Sequence, residues 1–301
     1  MSQNSVAEQG PNVPPMLVLS AGVIAIAFSA ILIRFAQGEQ APSAVIAAGR
    51  LVTASLILLP MSLLWRRDEL RRLEGADWRL AMVAGFFLSV HFVSWIASLG
   101  YTSVASSTVL VTTTPLWVGL ASPFFLGEKV SKPLMLGILA AMVGSVIISL
   151  EALGEGSMGS NPLLGNGLAL LGAVSAAIYF MIGRRIRPRL SLLSYTTVVY
   201  GASALFLLLY LLMQGHSLFG YSVNTYIFIV LMALFPQLLG HSSFNWALGF
   251  LPAAYVIVPI VSEPIGSSFL AWIFFQEVPT WPIIVGGVFI LGGILLSGRG
   301  Q

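Results

Sequence analysis

The chain has 301 residues, of which 57% are hydrophobic and only 8% are charged, and it contains no cysteine. With a mean hydropathy of +0.93, this composition excludes an ordinary soluble domain and favours a protein solvated by lipid. Disulfides, thiolate metal sites and thiol catalysis are excluded as well.

The apolar runs are continuous for about 20 residues and do not alternate, which predicts membrane-spanning helices and excludes a β-barrel. Before them lies a polar tail, residues 1–15, without Lys or Arg, which does not resemble a signal peptide. The predicted fold class is an all-α polytopic membrane protein with ten transmembrane helices. We call these spans 1 to 10, and they cover residues 16–35, 43–64, 80–100, 104–125, 134–150, 164–183, 192–213, 225–246, 254–275 and 281–297.

Basic residues concentrate in alternate connections between the spans. Those that follow spans 2, 4 and 6 are Arg66, Arg67, Arg71, Arg72, Arg79, Lys129, Lys132, Arg184, Arg185, Arg187 and Arg189. No Lys or Arg occurs between residues 190 and 298. The positive-inside rule therefore predicts that both termini are cytoplasmic, in the inner membrane of a bacterium. A chain whose basic residues serve this purpose is not expected to bind nucleic acid, despite a pI of about 9.4.

The second half of the chain repeats the first at a fixed offset of 149 residues. The repeated pairs are Gly100/Gly249, Ala105/Ala254, Pro115/Pro264, Phe125/Phe274, Glu128/Glu277, Pro133/Pro282, Gly137/Gly286 and Gly144/Gly293. Each copy holds five spans, and an odd number forces the second copy to enter the membrane from the opposite face. Glu128 should then face the cytoplasm and Glu277 the outside. Inverted repeats of this kind are typical of secondary transporters that work by alternating access.

The domain organisation follows from this repeat. The tail 1–15 precedes a first copy at 16–150, and an extracytoplasmic linker at 151–163 leads to a second copy at 164–301. The linker contains a G-x-G-x-x-G sequence at 154–159. A dinucleotide site would need a strand before this motif and a helix after it, and the linker does not predict that context.

Several short motifs carry a family resemblance. They are Gly100-Tyr101-Thr102-Ser103, Ala105, Pro115, Leu126-Gly127-Glu128, Gly137 and Gly144, with Leu248-Gly249, Ala254, Pro264, Glu277, Gly286 and Gly293 in the second copy. In order and spacing they resemble the EamA family of the drug/metabolite transporter superfamily. The resemblance implies a ten-helix transporter without a cofactor, with a central cavity bounded by both repeats. The overall pattern is also similar to the YddG-type aromatic amino-acid exporters of that family.

Polar and aromatic residues share helix faces in spans 3 and 8. His91 and Trp95 are four residues apart, and so are His241 and Asn245, with Trp246 adjacent. These residues, together with Tyr179, are candidates for the wall of a substrate cavity. The alternative is that they are ordinary hydrogen-bonded histidines and interfacial or packed aromatic residues.

Arg50 and Glu263 are charged residues well inside predicted spans, where each needs a partner or a wet cavity. Arg50 matches a basic position of the family, and it either ties helices together or pairs with a substrate carboxylate. Glu263 replaces the neutral Thr114 of the first copy, so it has no symmetric structural duty. It either relays protons, binds a substrate ammonium or hydrogen-bonds at the kink expected from Pro264. Pro115 and Pro264 should bend or unwind spans 4 and 9 and act as gates.

The sequence therefore favours a secondary transporter that exports small organic metabolites, with amino acids, including aromatic ones, as the expected substrates. Its partners would be this small-molecule substrate, the lipid bilayer and a coupling proton or ion. A drug, nucleotide-sugar or lipid carrier stays open, although Arg50 alone is a weak site for phosphates. An intramembrane enzyme, a zinc site on His91, His241 and Glu263, or a passive channel stays open too. No P-loop, H-E-x-x-H or G-x-S-x-G sequence occurs, so we expect no catalytic residues, and we assign no metal site.

Overall fold

The computed structural model describes residues 11–102, 104–153, 160–275 and 281–299. Within these ranges the regular structure is helical, and each predicted span coincides with a helix or with a run of helical segments. The helices are α1 (Pro15–Gly38), α2 (Ser43–Trp65), α3 (Arg67–Arg71), α4 (Gly75–Ser98), α5 (Val104–Val111), α6 (Thr114–Phe125), α7 (Lys132–Leu153), α8 (Pro162–Ile186), α9 (Leu192–Gln214), α10 (Val223–Met232), α11 (Ser242–Ala247), α12 (Ala253–Ile257), α13 (Glu263–Phe275) and α14 (Trp281–Gly298). A π-helical segment, Ala233–His241, joins α10 to α11, and a 3-10 segment, Val258–Ser262, joins α12 to α13.

Eight helical stretches within the described residues are long and apolar enough to cross a membrane. They correspond to spans 1–4 and 6–9. In spans 5 and 10 the search found two shorter apolar helices, Lys132–Ile147 and Ile284–Gly298. The all-helical membrane architecture is thus confirmed, while ten crossings stay a prediction. Glu277, the G-x-G-x-x-G sequence at 154–159 and the first ten residues of the tail lie outside the described residues.

Helix boundaries follow the sequence repeat. Helices α2 and α9 both begin and end at positions that are 149 residues apart. The same offset relates the first residues of α5 and α12, of α6 and α13, and of α7 and α14. The two copies therefore share local structure as well as sequence.

The chain forms two compact units that do not follow the two copies. Unit 1 is made of the described parts of Met1–Ser89 and Ile178–Pro252, and unit 2 of those of Val90–Ala177 and Ala253–Gln301. Each unit combines helices from both copies. The copies are therefore interleaved within each unit.

Glycines allow two helices of unit 2 to pack at very short range. A Cβ atom added to Gly137 of α7 would collide with the carbonyl oxygen of Gly293 in α14, and one added to Gly144 would collide with that of Gly286. The repeat offset relates Gly137 to Gly286 and Gly144 to Gly293. The contact between Gly137 and Gly293 is therefore equivalent to the contact between Gly286 and Gly144. Helices α7 and α14 thus cross through a contact that is itself twofold symmetric, and small residues make this close approach possible.

Several basic residues assigned to connections lie instead in helical turns. Arg79 belongs to α4, Lys132 opens α7, and Arg184 lies in the last turn of α8. Arg187 follows α8, but it is buried and its Nε donates to the carbonyl oxygen of Asn245 at 2.8 Å. Burial lowers the pKa of Arg187 to about 10, so it remains charged at neutral pH and ties the end of α8 to α11.

Candidate functional site

Asn245 is the centre of a buried polar cluster in unit 1. Its Nδ2 donates to the hydroxyl oxygens of Tyr179, at 2.5 Å, and Tyr200, at 3.1 Å. All three side chains are fully buried. The Asn245 Oδ1 atom is also buried, and it has no hydrogen-bond partner among the described residues. A buried acceptor left in this way costs roughly 1–3 kcal/mol, which is typical of a position that serves a ligand or water.

The Arg50 side chain, which belongs to α2, hydrogen-bonds to two other elements of unit 1. Its Nε donates to Gln237 Oε1 at 2.8 Å, and its Nη1 donates to Ser29 Oγ at 3.0 Å. The side chain is only 1% exposed. The guanidinium therefore joins α1, α2 and the π-helical segment, which suits a planar group with donors in a fixed fork.

The π-helical segment Ala233–His241 was not predicted from the sequence. It contains Pro236, which cannot donate the backbone hydrogen bond of a regular α-helix. The segment presents Gln237 to Arg50, and the residue that follows it, Ser242, hydrogen-bonds with the Tyr200 hydroxyl at 3.3 Å. Isolated π-helical turns occur frequently at functional sites. This one connects the arginine to the polar cluster around Asn245.

His241 and Trp246, the other two residues predicted in this region, pack on different aromatic rings. His241 is half-buried, and its ring stacks on that of Phe180 with centroids 6.4 Å apart. Trp246 follows Asn245 directly, so its side chain leaves the helix on another face. Its ring packs on Phe250, with centroids 5.0 Å apart. Asn245 thus contacts α8 through Tyr179, and His241 contacts it through Phe180. Trp246 instead packs on Phe250, shortly after the end of α11.

His91 and Trp95 form a second buried polar and aromatic pair, in unit 2. Their rings stack with centroids 6.0 Å apart and an interplanar angle of 18°. His91 Nδ1 lies 3.0 Å from the carbonyl oxygen of Gly172, so Nδ1 carries the proton and donates it there. Trp95 is 5% exposed, and its indole Nε1 is buried without a hydrogen-bond partner in the described part of the chain. This pair therefore offers a buried donor.

The two prolines predicted as kinks lie just after breaks in their helices. Helix α5 ends at Val111 and α6 begins at Thr114, with Pro115 in its first turn. In the second copy the 3-10 segment ends at Ser262, and α13 begins at Glu263. Glu263 and Thr114 occupy equivalent positions and are both buried. Thr114 Oγ1 donates to the carbonyl oxygens of Val111, the last residue of α5, and of Ala173.

Three glutamates of the first copy lie at the N-termini of helices in the second copy. Glu69 accepts hydrogen bonds of 2.6 Å from the backbone N–H and the hydroxyl of Ser191, which caps α9. Glu39 accepts one from Ser222, which caps α10. Glu128 accepts one of 2.9 Å from the first N–H of α12. Carboxylates are stabilised at helix N-termini, so these contacts join the two copies within each unit.

Sequence reasoning did not identify Ser29, the three glutamates or the capping serines as contact residues. The capping serines carried a detectable pattern, since a serine directly before an apolar run predicts a helix start. No pattern pointed to Ser29, an isolated hydroxyl within an apolar helix. Among the described residues, no three His, Asp or Glu side chains come close enough together to hold a metal ion.

Comparison with known proteins agrees with this class of structure. The EamA-like transporter family matches residues 14–150 and again residues 163–299, which is the same 149-residue offset. A protein of known crystal structure shares the fold, with a TM-score of 0.78 and 15% identity, over 95% of this chain and 96% of its own.

Relatives in other organisms are described as transporters too. The uncharacterized transporter YetK of Bacillus subtilis is 26% identical over 283 residues, covering 92% of this chain and 84% of its own length. The uncharacterized transporter YdfC of the same organism is 24% identical over 250 residues, covering 82% and 79%. An uncharacterized transporter of Archaeoglobus fulgidus is 24% identical over 231 residues, covering 76% and 80%.

The fold is that of a helical membrane protein, and the family matches place it in the transporter class. The two family matches together cover most of the chain. The chain belongs to the EamA-like transporter family, within the drug/metabolite transporter superfamily.

Proposed function

We propose that this protein exports small organic metabolites, and specifically amino acids including aromatic ones, by alternating access. It does so in the inner membrane, with ten transmembrane helices, both termini in the cytoplasm and the two copies inverted. The observation that carries the proposal is the buried, unpartnered Oδ1 of Asn245 beside two tyrosine hydroxyls.

Each unit contains groups that are complementary to parts of an aromatic amino acid. In unit 1, an ammonium group, which is a donor, is complementary to the Asn245 carbonyl oxygen. A carboxylate is complementary to Arg50. In unit 2, taken by itself, the indole of Trp95 and the ring of His91 offer flat surfaces on which an aromatic side chain stacks, and the Glu263 carboxylate is complementary to an ammonium. Binding sites for small molecules combine such apolar walls with a few polar groups in this way.

The shared structure of the two copies supports the mechanism. Four pairs of helices from the two copies begin at equivalent positions, and α7 and α14 cross through contacts that the repeat exchanges. Helix breaks precede Pro115 and Pro264 at corresponding places. Paired, interrupted helices of related halves are the elements that exchange conformations in inverted-repeat transporters. We assign the gating role to these two breaks.

Uptake into liposomes tests the proposal directly. Purified protein is reconstituted, and counterflow of labelled amino acids is measured across a panel that includes phenylalanine, tryptophan and tyrosine. Saturable exchange of at least one amino acid is expected. Unsaturable leakage would indicate a channel, and the absence of exchange for the whole panel would contradict the substrate class.

The variant Asn245→Leu tests the site itself. Leucine has a similar volume, but it can neither accept a hydrogen bond nor donate to the two tyrosine hydroxyls. We therefore expect exchange to fall at least tenfold, since the loss of a single hydrogen bond of ~1.4 kcal/mol already corresponds to that factor. Ser243→Ala is the matched control, because Ser243 lies on the same helix and donates only to the carbonyl oxygen of Leu239. Equal effects of both substitutions in well-folded protein would contradict the assignment of Asn245.

A further inference from the structure

Unit 1 contains a cavity of about 850 Å³ between α2 and α9, closed on another side by the π-helical segment and the start of α11. This volume lies in the range of roughly 300–1,000 Å³ that small-molecule sites occupy. The wall is mostly aliphatic, and its apolar side chains are Ile57, Leu58, Met61, Leu192, Leu193 and Leu238. Arg50, His241 and Asn245 do not line it.

One end of the cavity is polar and open. Trp65, Arg66 and Ser191 line it there, where α2 ends and α9 begins. The Trp65 side chain is 66% exposed although it forms part of the wall, so the cavity opens to the surroundings at this point. The neighbouring Leu63 and Leu64 are 50% and 78% exposed. The aliphatic wall thus continues into an apolar outer surface that is suited to lipid.

The charge at the open end is positive. Residues 66–72 contain four arginines against Asp68 and Glu69, and Arg66 itself lines the cavity. Glu69 is the acid that reaches this end, and both of its carboxylate oxygens accept hydrogen bonds of 2.6 Å from Ser191. Its charge is further offset by the N-terminus of α9. The end is therefore complementary to an anion.

We propose that this cavity is a binding site for an anionic phospholipid, with one acyl chain along the aliphatic wall and the headgroup phosphate beside Arg66. Such a ligand matches both ends of the cavity, whereas a free phosphate would leave the aliphatic wall without a partner. Basic pockets between transmembrane helices bind anionic headgroups by this combination of charge and apolar contact. Trp65, at the end of its helix, suits the interface where headgroups lie.

Native mass spectrometry of the full chain in detergent tests this site. The protein is titrated with phosphatidylglycerol and with phosphatidylcholine of the same acyl chains. We expect tighter binding of phosphatidylglycerol, weakened about fivefold by Arg66→Gln, which corresponds to the ~1 kcal/mol of one basic residue near an anionic surface. Arg66→Lys keeps the charge and should retain most of the affinity. Arg67→Gln removes an equal charge next to the cavity and should have a smaller effect.

A cavity-filling variant provides an independent measurement. Met61→Trp occupies the aliphatic wall and should displace the lipid, while Leu59→Trp, at a 48% exposed position outside the cavity, should not. Equal binding of the two lipids would overturn the proposal. Equal losses in Arg66→Gln and Arg67→Gln would overturn it too, since they indicate attraction to the surface alone. If Met61→Trp instead blocked amino-acid exchange with lipid binding unchanged, the cavity would be a substrate portal and the lipid proposal would be wrong.

Discussion

The buried polar side chains of unit 1 form a connected set, not a scatter of isolated groups. Arg50 reaches Gln237 and Ser29, and Tyr200 links Ser242 to Asn245. A charge within a membrane-spanning segment costs several kcal/mol unless it is paired or hydrated. The contacts of Arg50 with Gln237 and Ser29 account for a structural role, because they join three elements of unit 1.

Glu263 is a charged residue whose counterpart in the first copy is neutral. Thr114 occupies the equivalent place at the start of α6, so the scaffold does not require an acid there. We predict that Glu263→Gln, which keeps the shape but removes the titratable charge, inserts and purifies normally. It should lose most of the exchange activity or its pH dependence, measured in liposomes with and without a pH gradient.

The matched variant for this prediction is Thr114→Val in the first copy. It removes a hydroxyl that bonds only to carbonyl oxygens, and it should leave the pH dependence of exchange intact. If Glu263→Gln transported normally at every pH while Glu263→Ala only lowered expression, Glu263 would be a structural partner of the helix break.

At the scale of helices, the acids of the first copy organise the helix starts of the second. Glu39 accepts hydrogen bonds from Ser222 and Asn224, and these bonds, the one from Ser222 most, lower its pKa below the usual 4.5. A carboxylate whose pKa is lower in the folded state adds stability above its unfolded pKa and loses it as the pH falls through the folded value. We predict that wild type unfolds at a higher temperature than Glu39→Gln at neutral pH, and that the difference disappears in acid.

Thermal unfolding in detergent measures this difference from about pH 7, above the usual carboxylate pKa, to about pH 3, below it. Glu74→Gln is the control, because Glu74 is an exposed acid directly before α4. A stability difference for Glu39→Gln that did not change with pH would contradict the assigned hydrogen bonds.

The contact between α7 and α14 leaves no room for a side chain. A Cβ atom on Gly293 would lie 2.5 Å from the Gly137 oxygen and 2.7 Å from the Ala141 nitrogen, whereas one on Gly292 meets open space. We predict that Gly293→Ala lowers the free energy of unfolding by about 1–3 kcal/mol, as overpacking does, and that Gly292→Ala does not lower it. Thermal unfolding of the two variants distinguishes them, and equal midpoints would contradict this helix contact.

The helices were predictable because apolar runs and basic connections are local properties of the sequence. The interruptions were only partly predictable. Pro115 and Pro264 indicated where spans 4 and 9 would be interrupted. The π-helical segment was not predicted although Pro236 lies in it, because a proline within an apolar run does not by itself distinguish a kink from a π-helical turn. The candidate site was predictable in its residue types, since Asn245 and His91 are rare polar residues in apolar spans. Their partners were not, because Tyr179, Tyr200 and Gly172 lie far away in sequence.

At the scale of the whole molecule, the central claim is that the two copies cross the membrane in opposite directions. The native sequence has no cysteine, so single cysteines can be introduced without further changes. Asp68 and Ser217 are both exposed and are related by the repeat offset. They follow α2 and α9, which correspond in the two copies.

Labelling of Asp68→Cys and Ser217→Cys in bacterial cells with a maleimide that cannot cross the inner membrane tests this claim most directly. The inverted arrangement predicts that Ser217→Cys reacts in intact cells, and that Asp68→Cys reacts only after the inner membrane has been permeabilised. Reaction of both cysteines from the same side of the membrane would contradict the inverted repeat, and with it the proposed mechanism of alternating access.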